Sequence, residues 1–268
     1  NVCTNLILAD RAKLCFLKRN DVKVIVSVFG EKDAHDALRS FSSRRGSYAL
    51  LRKKLDLLFA VFSETDIGAA FCVAPGGVAR FRENWEHLLG LGFRHFNIEI
   101  IRGYGEWTPG KRASLLRGLL SLTRGVLRGI PQGKAVYLNP LNWEIKYGLL
   151  SDPVHQECPF AYGLEVYPEG QMAFSPFLLN DIDKDKYIIG HVQECLQRFA
   201  GCRHDPNSGR CRDCQGVYYA SYGRGQDAQS VFQSFRAVCC VAAEQVFSQR
   251  QKPEWKKYIS SIKKEVCF

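Results

Sequence analysis

Residues 22–30 read VKVIVSVFG, residues 67–73 read IGAAFCV and residues 93–101 read FRHFNIEII. Each is a short apolar run rich in β-branched or aromatic side chains. Gly30 closes the first, and Pro75-Gly76-Gly77 follows the second. Runs of this length, bounded in this way, predict buried strands rather than helices. Between them lie helical patterns. Residues 44–62 carry apolar positions at Leu50, Leu51, Leu55, Leu58 and Phe59, with Ser47 in N-cap position. Residues 78–91 form an amphipathic stretch closed by Gly92, and residues 109–127 begin with Thr108 as cap and Pro109 in the first turn. Strand–helix units of this length imply parallel strands joined by right-handed crossovers, an α/β fold. A doubly wound sheet and a β/α barrel both fit the spacing. Ser27, Asn97 and Glu99 gather at the C-terminal ends of the runs, which form the active face in either architecture.

After Gly133 the texture changes. Residues 135–138 are a further strand candidate. Residues 163–167 and 171–174 flank Pro168-Glu169-Gly170 as a β-hairpin, and residues 189–199 read as a short helix. A Cys-rich loop fills 201–225, a long helix 227–249, and a last helix follows Pro253. The expected division is a strand–helix domain over 1–133. A linker, a small Cys-bearing α+β module and C-terminal helices then occupy 134–268.

The chain has 268 residues, 46% hydrophobic and 24% charged, which is the balance of a soluble globular protein. No apolar run approaches the roughly 18 residues of a membrane span. The net charge is +10, dispersed along the chain without a nucleic-acid motif. Neither a membrane nor a nucleic acid is therefore expected as a partner, and the expected location is cytoplasmic. No P-loop, GxGxxG, GxSxG or HExxH occurs.

Eleven cysteines are many for such a chain. Cys3, Cys15 and Cys72 stand in apolar contexts as small buried hydrophobes. Cys202, Cys211 and Cys214 crowd into 13 polar residues, a spacing that suits one metal or cluster. Cys158 is the candidate fourth ligand, with His155, His191 and His204 as competitors favouring zinc. An iron–sulfur cluster, zinc and plain reduced thiols all remain readings of this loop. A second polar stretch follows Ser27: His35-Asp36, then Arg39, then Gly46-Ser47-Tyr48. It reads either as a site mouth or as a solvated loop with an Asp36–Arg39 pair. Glu99 on an apolar strand is either paired, by Arg102 or Lys111, or functional.

In this order, the segments resemble the radical S-adenosylmethionine (AdoMet) enzymes of the SPASM-containing group, which includes anaerobic sulfatase-maturating and peptide-modifying enzymes. Thr4-Asn5 is similar to the TN that ends the group's third barrel strand. Residues 26–48 are similar to its fourth-strand pattern, S-x-D-G followed by HD, R and a G-S-aromatic helix start, with Phe29 where the group has Asp. Residues 71–75 and 81–97 are similar to its fifth strand, helix and sixth strand. Cys158, Gly170 and Ser175 follow the SPASM spacing, with Ser175 in place of a cysteine. Cys211 and Cys214 resemble the next element, and Ala220 and Arg224 stand where a further Cys pair falls. The group's CxxxCxxC, which binds the catalytic cluster, occurs nowhere in the chain, nor does its GGE-type cofactor loop. Missing strand–helix units before Asn1 would explain both absences.

The resemblance implies a partial (β/α)6 radical-SAM-type barrel with a small Cys-rich module. It implies the C-terminal portion of an enzyme that modifies a peptide or protein side chain through hydrogen abstraction by a 5′-deoxyadenosyl radical. AdoMet would contact Ser27, Asn97 and Glu99, with Arg39 on its carboxylate. An auxiliary 4Fe–4S cluster, or zinc instead, would sit on Cys158, Cys202, Cys211 and Cys214. A flavodoxin or ferredoxin would be the electron donor. Lacking CxxxCxxC, this chain by itself is expected to be inactive. The alternative is a non-catalytic peptide-binding module with a zinc- or cluster-stapled Cys loop.

Overall fold

A computed structural model of the chain describes residues 1–101, 105–139, 141–145, 165–166, 169–173, 188–193 and 226–264. Its first part runs β1 (Val2–Thr4), α1 (Arg11–Arg19), β2 (Val24–Val28), α2 (Lys32–Asp36) and α3 (Tyr48–Val61). It continues β3 (Ile67–Val73), α4 (Phe81–Gly90), β4 (His95–Ile100), α5 (Pro109–Gly129) and β5 (Tyr137–Asn139). The five strands are parallel and their spatial order is their chain order. That order decides between the two architectures. A doubly wound sheet reverses direction at a switch point, whereas crossovers that are all right-handed and advance one way put every helix on the same face. The result is a singly wound α/β sheet, an open partial barrel.

Local signals explain the helix starts. Asp10 accepts from the Lys13 amide at 2.8 Å and opens α1, which the apolar spacing alone does not reveal. Thr108 caps α5 from the Lys111 amide, and Pro109 takes the first turn. Ser47 stands in N-cap position before α3 without capping it. Its hydroxyl donates instead to the Arg39 carbonyl.

The helix-covered face of the sheet is the core. Val24, Val26 and Val28 of β2, Ile67, Ala69, Phe71 and Val73 of β3, and Phe96 and Ile98 of β4 are all buried. Phe71 meets Phe81 (ring centroids 5.4 Å apart) and Trp85 (6.1 Å), and Trp85 meets Phe96 at 4.1 Å. Gly118 lets α5 approach this cluster, because a Cβ there would lie 2.7 Å from Phe81 Cδ1.

By its contacts the chain divides into two units, 1–150 with 230–268, and 151–229. In the second unit, β6 (Glu165–Val166), β7 (Gln171–Ala173) and β8 (Ile188–His191) form an antiparallel sheet in that order. β6 and β7 are the expected hairpin, with Gly170 at φ +87°. Residues 188–191 are a strand rather than the start of a helix. β-Branched Ile188 and Ile189 extend naturally along an edge, and Val192 N–H donates to the Gly170 carbonyl at 2.8 Å.

The last helices are α6 (Gln226–Ser248) and α7 (Pro253–Lys264). Spacing alone groups them with the Cys module, yet residues 230–268 pack with the first unit. An aromatic ladder accounts for this: His95 stacks on Tyr137 (4.6 Å, 7°) and Tyr137 on Tyr258 of α7 (5.1 Å, 8°). The Tyr258 hydroxyl lies 3.3 Å from both the Val136 carbonyl and Asn142 Oδ1. Among the described residues no helix is long and apolar enough to cross a membrane.

Phe71 is 1% exposed at the centre of the aromatic cluster. Replacing it by alanine is expected to destabilise the protein by about 3–5 kcal/mol. Urea midpoints check this, and a loss under about 1 kcal/mol would show that the cluster is not the core.

Candidate ligand site at the strand ends

Side chains alternate across a strand, so register places them. Ser27 pairs with Ala70, Ala70 with Asn97, and Asn97 with Asn139. One row with a shared facing therefore runs across four strands. It lies on the face opposite the aromatic core. Two residues further along, Cys72 pairs with Glu99 on the same face. Two residues earlier, Ile25, Gly68, His95 and Tyr137 form the preceding row. The helix-covered face is apolar throughout. This one carries hydroxyl, amide, thiol and carboxyl groups, with the small Gly68 and Ala70 between them.

These groups bond to one another. Asn97 Nδ2 donates to Glu99 Oε1 at 2.6 Å, and Ser27 Oγ lies 3.4 Å from Cys3 Sγ. Cys3 is exposed at this edge rather than buried as its apolar context suggested, whereas Cys72 is buried as expected. Burial raises the Glu99 carboxyl above the usual carboxylate range. Burial, then the neighbouring Glu99 charge, pushes the Cys72 thiol up to about 12, with the Arg39 charge and hydrogen bond opposing. Arg39 thus reaches the same strand ends from the loop after β2.

That loop is built around a buried histidine. His35, on α2, is 2% exposed. Its Nε2 lies 3.2 Å from Ser47 Oγ, which donates to the Arg39 carbonyl at 2.9 Å. Arg39 N–H in turn donates to the His35 carbonyl at 2.8 Å. The expected Asp36–Arg39 pair is not formed. Asp36 accepts from the Tyr48 amide at 2.8 Å and pairs with Lys32 at 3.1 Å. Gly46 permits this, since a Cβ there would fall 2.1 Å from Asp36 Cγ. At the strand exit Asn84 accepts from the Glu31 amide at 3.0 Å, and Gly30, at φ +121°, leaves the room that contact needs.

Ser27, Arg39, Asn97 and Glu99 therefore come to one end of the sheet. Cys158, Cys202, Cys211 and Cys214 lie outside the described residues. Among the described residues no group of three His, Cys, Asp or Glu side chains could hold a metal ion. Sequence spacing missed Cys72 and Phe29 as neighbours of this end. Strand parity with Ala70 and Ser27 carried that information.

Burial, then the Arg39 charge, lowers the His35 imidazole from its ordinary 6.5 to about 4, with Asp36 opposing. Between those values the unfolded chain holds the extra proton and the folded protein does not, so stability falls as pH falls from about 6.5 to about 4. Wild-type denaturation midpoints should fall more steeply across that window than those of His35→Gln. Parallel curves would remove His35 as the cause.

Neither a family profile nor a curated protein matches the sequence. Solved structures do. A histidine-tagged anaerobic sulfatase-maturating enzyme, anSMEcpe, with bound AdoMet aligns at TM-score 0.67 and 12% identity, covering 97% of this chain and 74% of that one. Its native form with AdoMet aligns at 0.65 and 12% identity, covering 92% and 74%. The native form with AdoMet and a peptide bound aligns at 0.64 and 13% identity, covering 92% and 75%. At such identities the likeness establishes the fold: the chain has the mixed α/β architecture seen in these radical SAM enzyme structures.

Proposed function

We propose that the chain is the substrate-facing part of a radical SAM-type enzyme acting on a peptide or protein side chain, with AdoMet bound at the strand ends described above. The observation that carries the reading is the polar group Ser27, Asn97 and Glu99 on the face opposite the crossover helices, within a fold shared with AdoMet- and peptide-bound structures. The groups present suit the ligand. Arg39 offers a guanidinium for a carboxylate, which such a fork binds bidentately. Ser27 and Asn97 offer hydroxyl and amide groups for the remaining polar atoms. Glu99, half-buried and hydrogen-bonded by Asn97, offers a carboxyl for a cationic group. Once cleaved by one electron from a reduced cluster, AdoMet would supply the 5′-deoxyadenosyl radical for hydrogen abstraction, and the residues of this chain would bind it, orient it and keep water away.

An auxiliary 4Fe–4S cluster on Cys158, Cys202, Cys211 and Cys214, or zinc with a histidine in place of one cysteine, belongs to the same proposal, as does a flavodoxin or ferredoxin donor. A cytoplasmic location fits this chemistry. The second reading, a non-catalytic peptide-binding module, is favoured by one sequence fact, the lack of CxxxCxxC.

Three measurements test the proposal. Equilibrium dialysis should show AdoMet binding that Asn97→Ala or Arg39→Ala weakens about tenfold, in keeping with loss of a charge-assisted contact. No binding to the wild type would overturn the AdoMet reading. Anaerobically reconstituted protein with a strong reductant should give no 5′-deoxyadenosine. Robust production would mean that another cysteine trio holds the catalytic cluster. The reconstituted protein should also be brown if the Cys loop holds iron and sulfide. A colourless, zinc-loaded protein selects zinc, and full metal retention in a Cys202→Ser/Cys211→Ser/Cys214→Ser variant would reject the loop as the site.

A further inference from the structure

The outer side of α5 is charged with one sign. The helix carries Lys111, Arg112, Arg117, Arg124 and Arg128 and no acidic residue. Arg117, Arg124 and Arg128 are exposed, seven and then four residues apart, which spaces them about 10 Å and about 6 Å along the axis. Among the described residues no carboxylate pairs with any of the three. Like charges at such spacing repel one another, so the row costs the free protein stability that an opposite charge would restore.

Between α5 and α6 lies a groove of about 400 Å³. Leu120 and Leu127 of α5 and Val238, Val241 and Ala242 of α6 line it, with the exposed Arg124 beside them. Thr123 also faces it, but spends its hydroxyl on the Leu119 carbonyl at 2.9 Å. Val241 is 67% exposed in the middle of α6, and Ala237 and Cys240 near it are exposed too. One exposed valine needs no explanation. A hollow apolar strip edged by arginines has the form that receives an amphipathic helix, apolar face inward and charged flank at the rim.

We propose that the α5–α6 groove is a docking site for an amphipathic helix of an acidic partner protein. The apolar side chains of that helix enter between Leu120, Leu127 and Val241, and its carboxylates meet Arg117, Arg124 and Arg128. Charge and shape decide against other occupants. A second copy of this chain, docked isologously, sets the arginine row against itself, and α6 offers Glu244 alone among its described side chains as a carboxylate. A lipid surface is met by a convex apolar ridge, whereas here the apolar side chains line a hollow. The proposal does not rest on the AdoMet reading, because α5 is a crossover helix on the face opposite Ser27, Asn97 and Glu99.

The test uses the full chain and two synthetic helix-forming peptides of about 18 residues. Both carry leucine along one face and glutamate beside it. The glutamates follow the arginine spacing in one peptide and its reverse in the other, one for each sense of docking. Fluorescence anisotropy at about 0.15 M salt should show at least one of them binding about tenfold or more tighter than its lysine-for-glutamate counterpart. Arg124→Glu and Val241→Glu should each weaken that binding about tenfold, and Arg124→Glu/Arg128→Glu should turn the preference toward the lysine peptide. Arg19→Glu, exposed on α1, should leave binding within about twofold of wild type. If Val241→Glu does not fold, Val241→Ser takes its place. No binding, equal binding of the glutamate and lysine peptides, or equal losses in Arg124→Glu and Arg19→Glu overturns the proposal, the last because a diffuse net charge of +10 would then be the cause. Sedimentation with phosphatidylserine vesicles that Val241→Glu abolishes, or a dimer that it disperses, assigns the groove to a membrane or a second copy and overturns it too.

Discussion

Parallel strands laid down in chain order can be covered by their own crossover helices on one face only. Most of this molecule follows from that constraint. On the covered face each inward position must be apolar and well packed, and β2, β3 and β4 supply valine, isoleucine and phenylalanine there. On the other face the same strands are released from that demand and carry Ser27, Cys72, Asn97 and Glu99 in register. The candidate site is thus the second parity of the strands whose first parity forms the core. A one-residue slip would exchange the two sets, so the core packing also holds the site in place.

The electrostatics of that face are set by burial and by which charges are already spent. Burial raises the Glu99 carboxyl above the usual carboxylate range, while its Oε1 accepts from the Asn97 amide. Cys72 beside it is pushed further from ionisation by the same burial and by that carboxyl. Arg39 is the opposing charge at this end. Glu31 and Asp36 pair not with it but with Arg80, and with Lys32 and the Tyr48 amide. A short loop achieves this through one close approach, Asp36 against Gly46, and one buried imidazole, His35. Here His35 Nε2 meets the Ser47 hydroxyl, which in turn donates to the Arg39 carbonyl, and Asp36 accepts from the Tyr48 amide, so the shape of the loop and the place of Arg39 are determined together.

Much of this was legible in the residues. The strands at 22–28, 67–73 and 93–101 announce themselves because a short β-branched or aromatic run is a local property. The polar strand ends are legible for the same reason, and so is the capped start of α5 at Thr108-Pro109. The partner of Arg39 was not. The i, i+3 spacing to Asp36 suggests a pair, and only the approach of Gly46 and Tyr48, 10 and 12 positions further along, takes Asp36 away. The return of the C-terminal helices was equally hidden, since it rests on Tyr258 stacking with a residue 121 positions earlier, Tyr137.

The sequence by itself therefore determined the strand–helix units from β2 to α5, their parallel sense and the polarity of the strand ends, because hydrophobic period, caps and crossover length act over a few residues. Tertiary structure alone decided that the sheet is singly wound, that Phe29 rather than a carboxylate lies against Arg39, and that residues 230–268 join the first unit. These are choices among partners distant in the chain, and they are made by packing and burial, which no local pattern encodes.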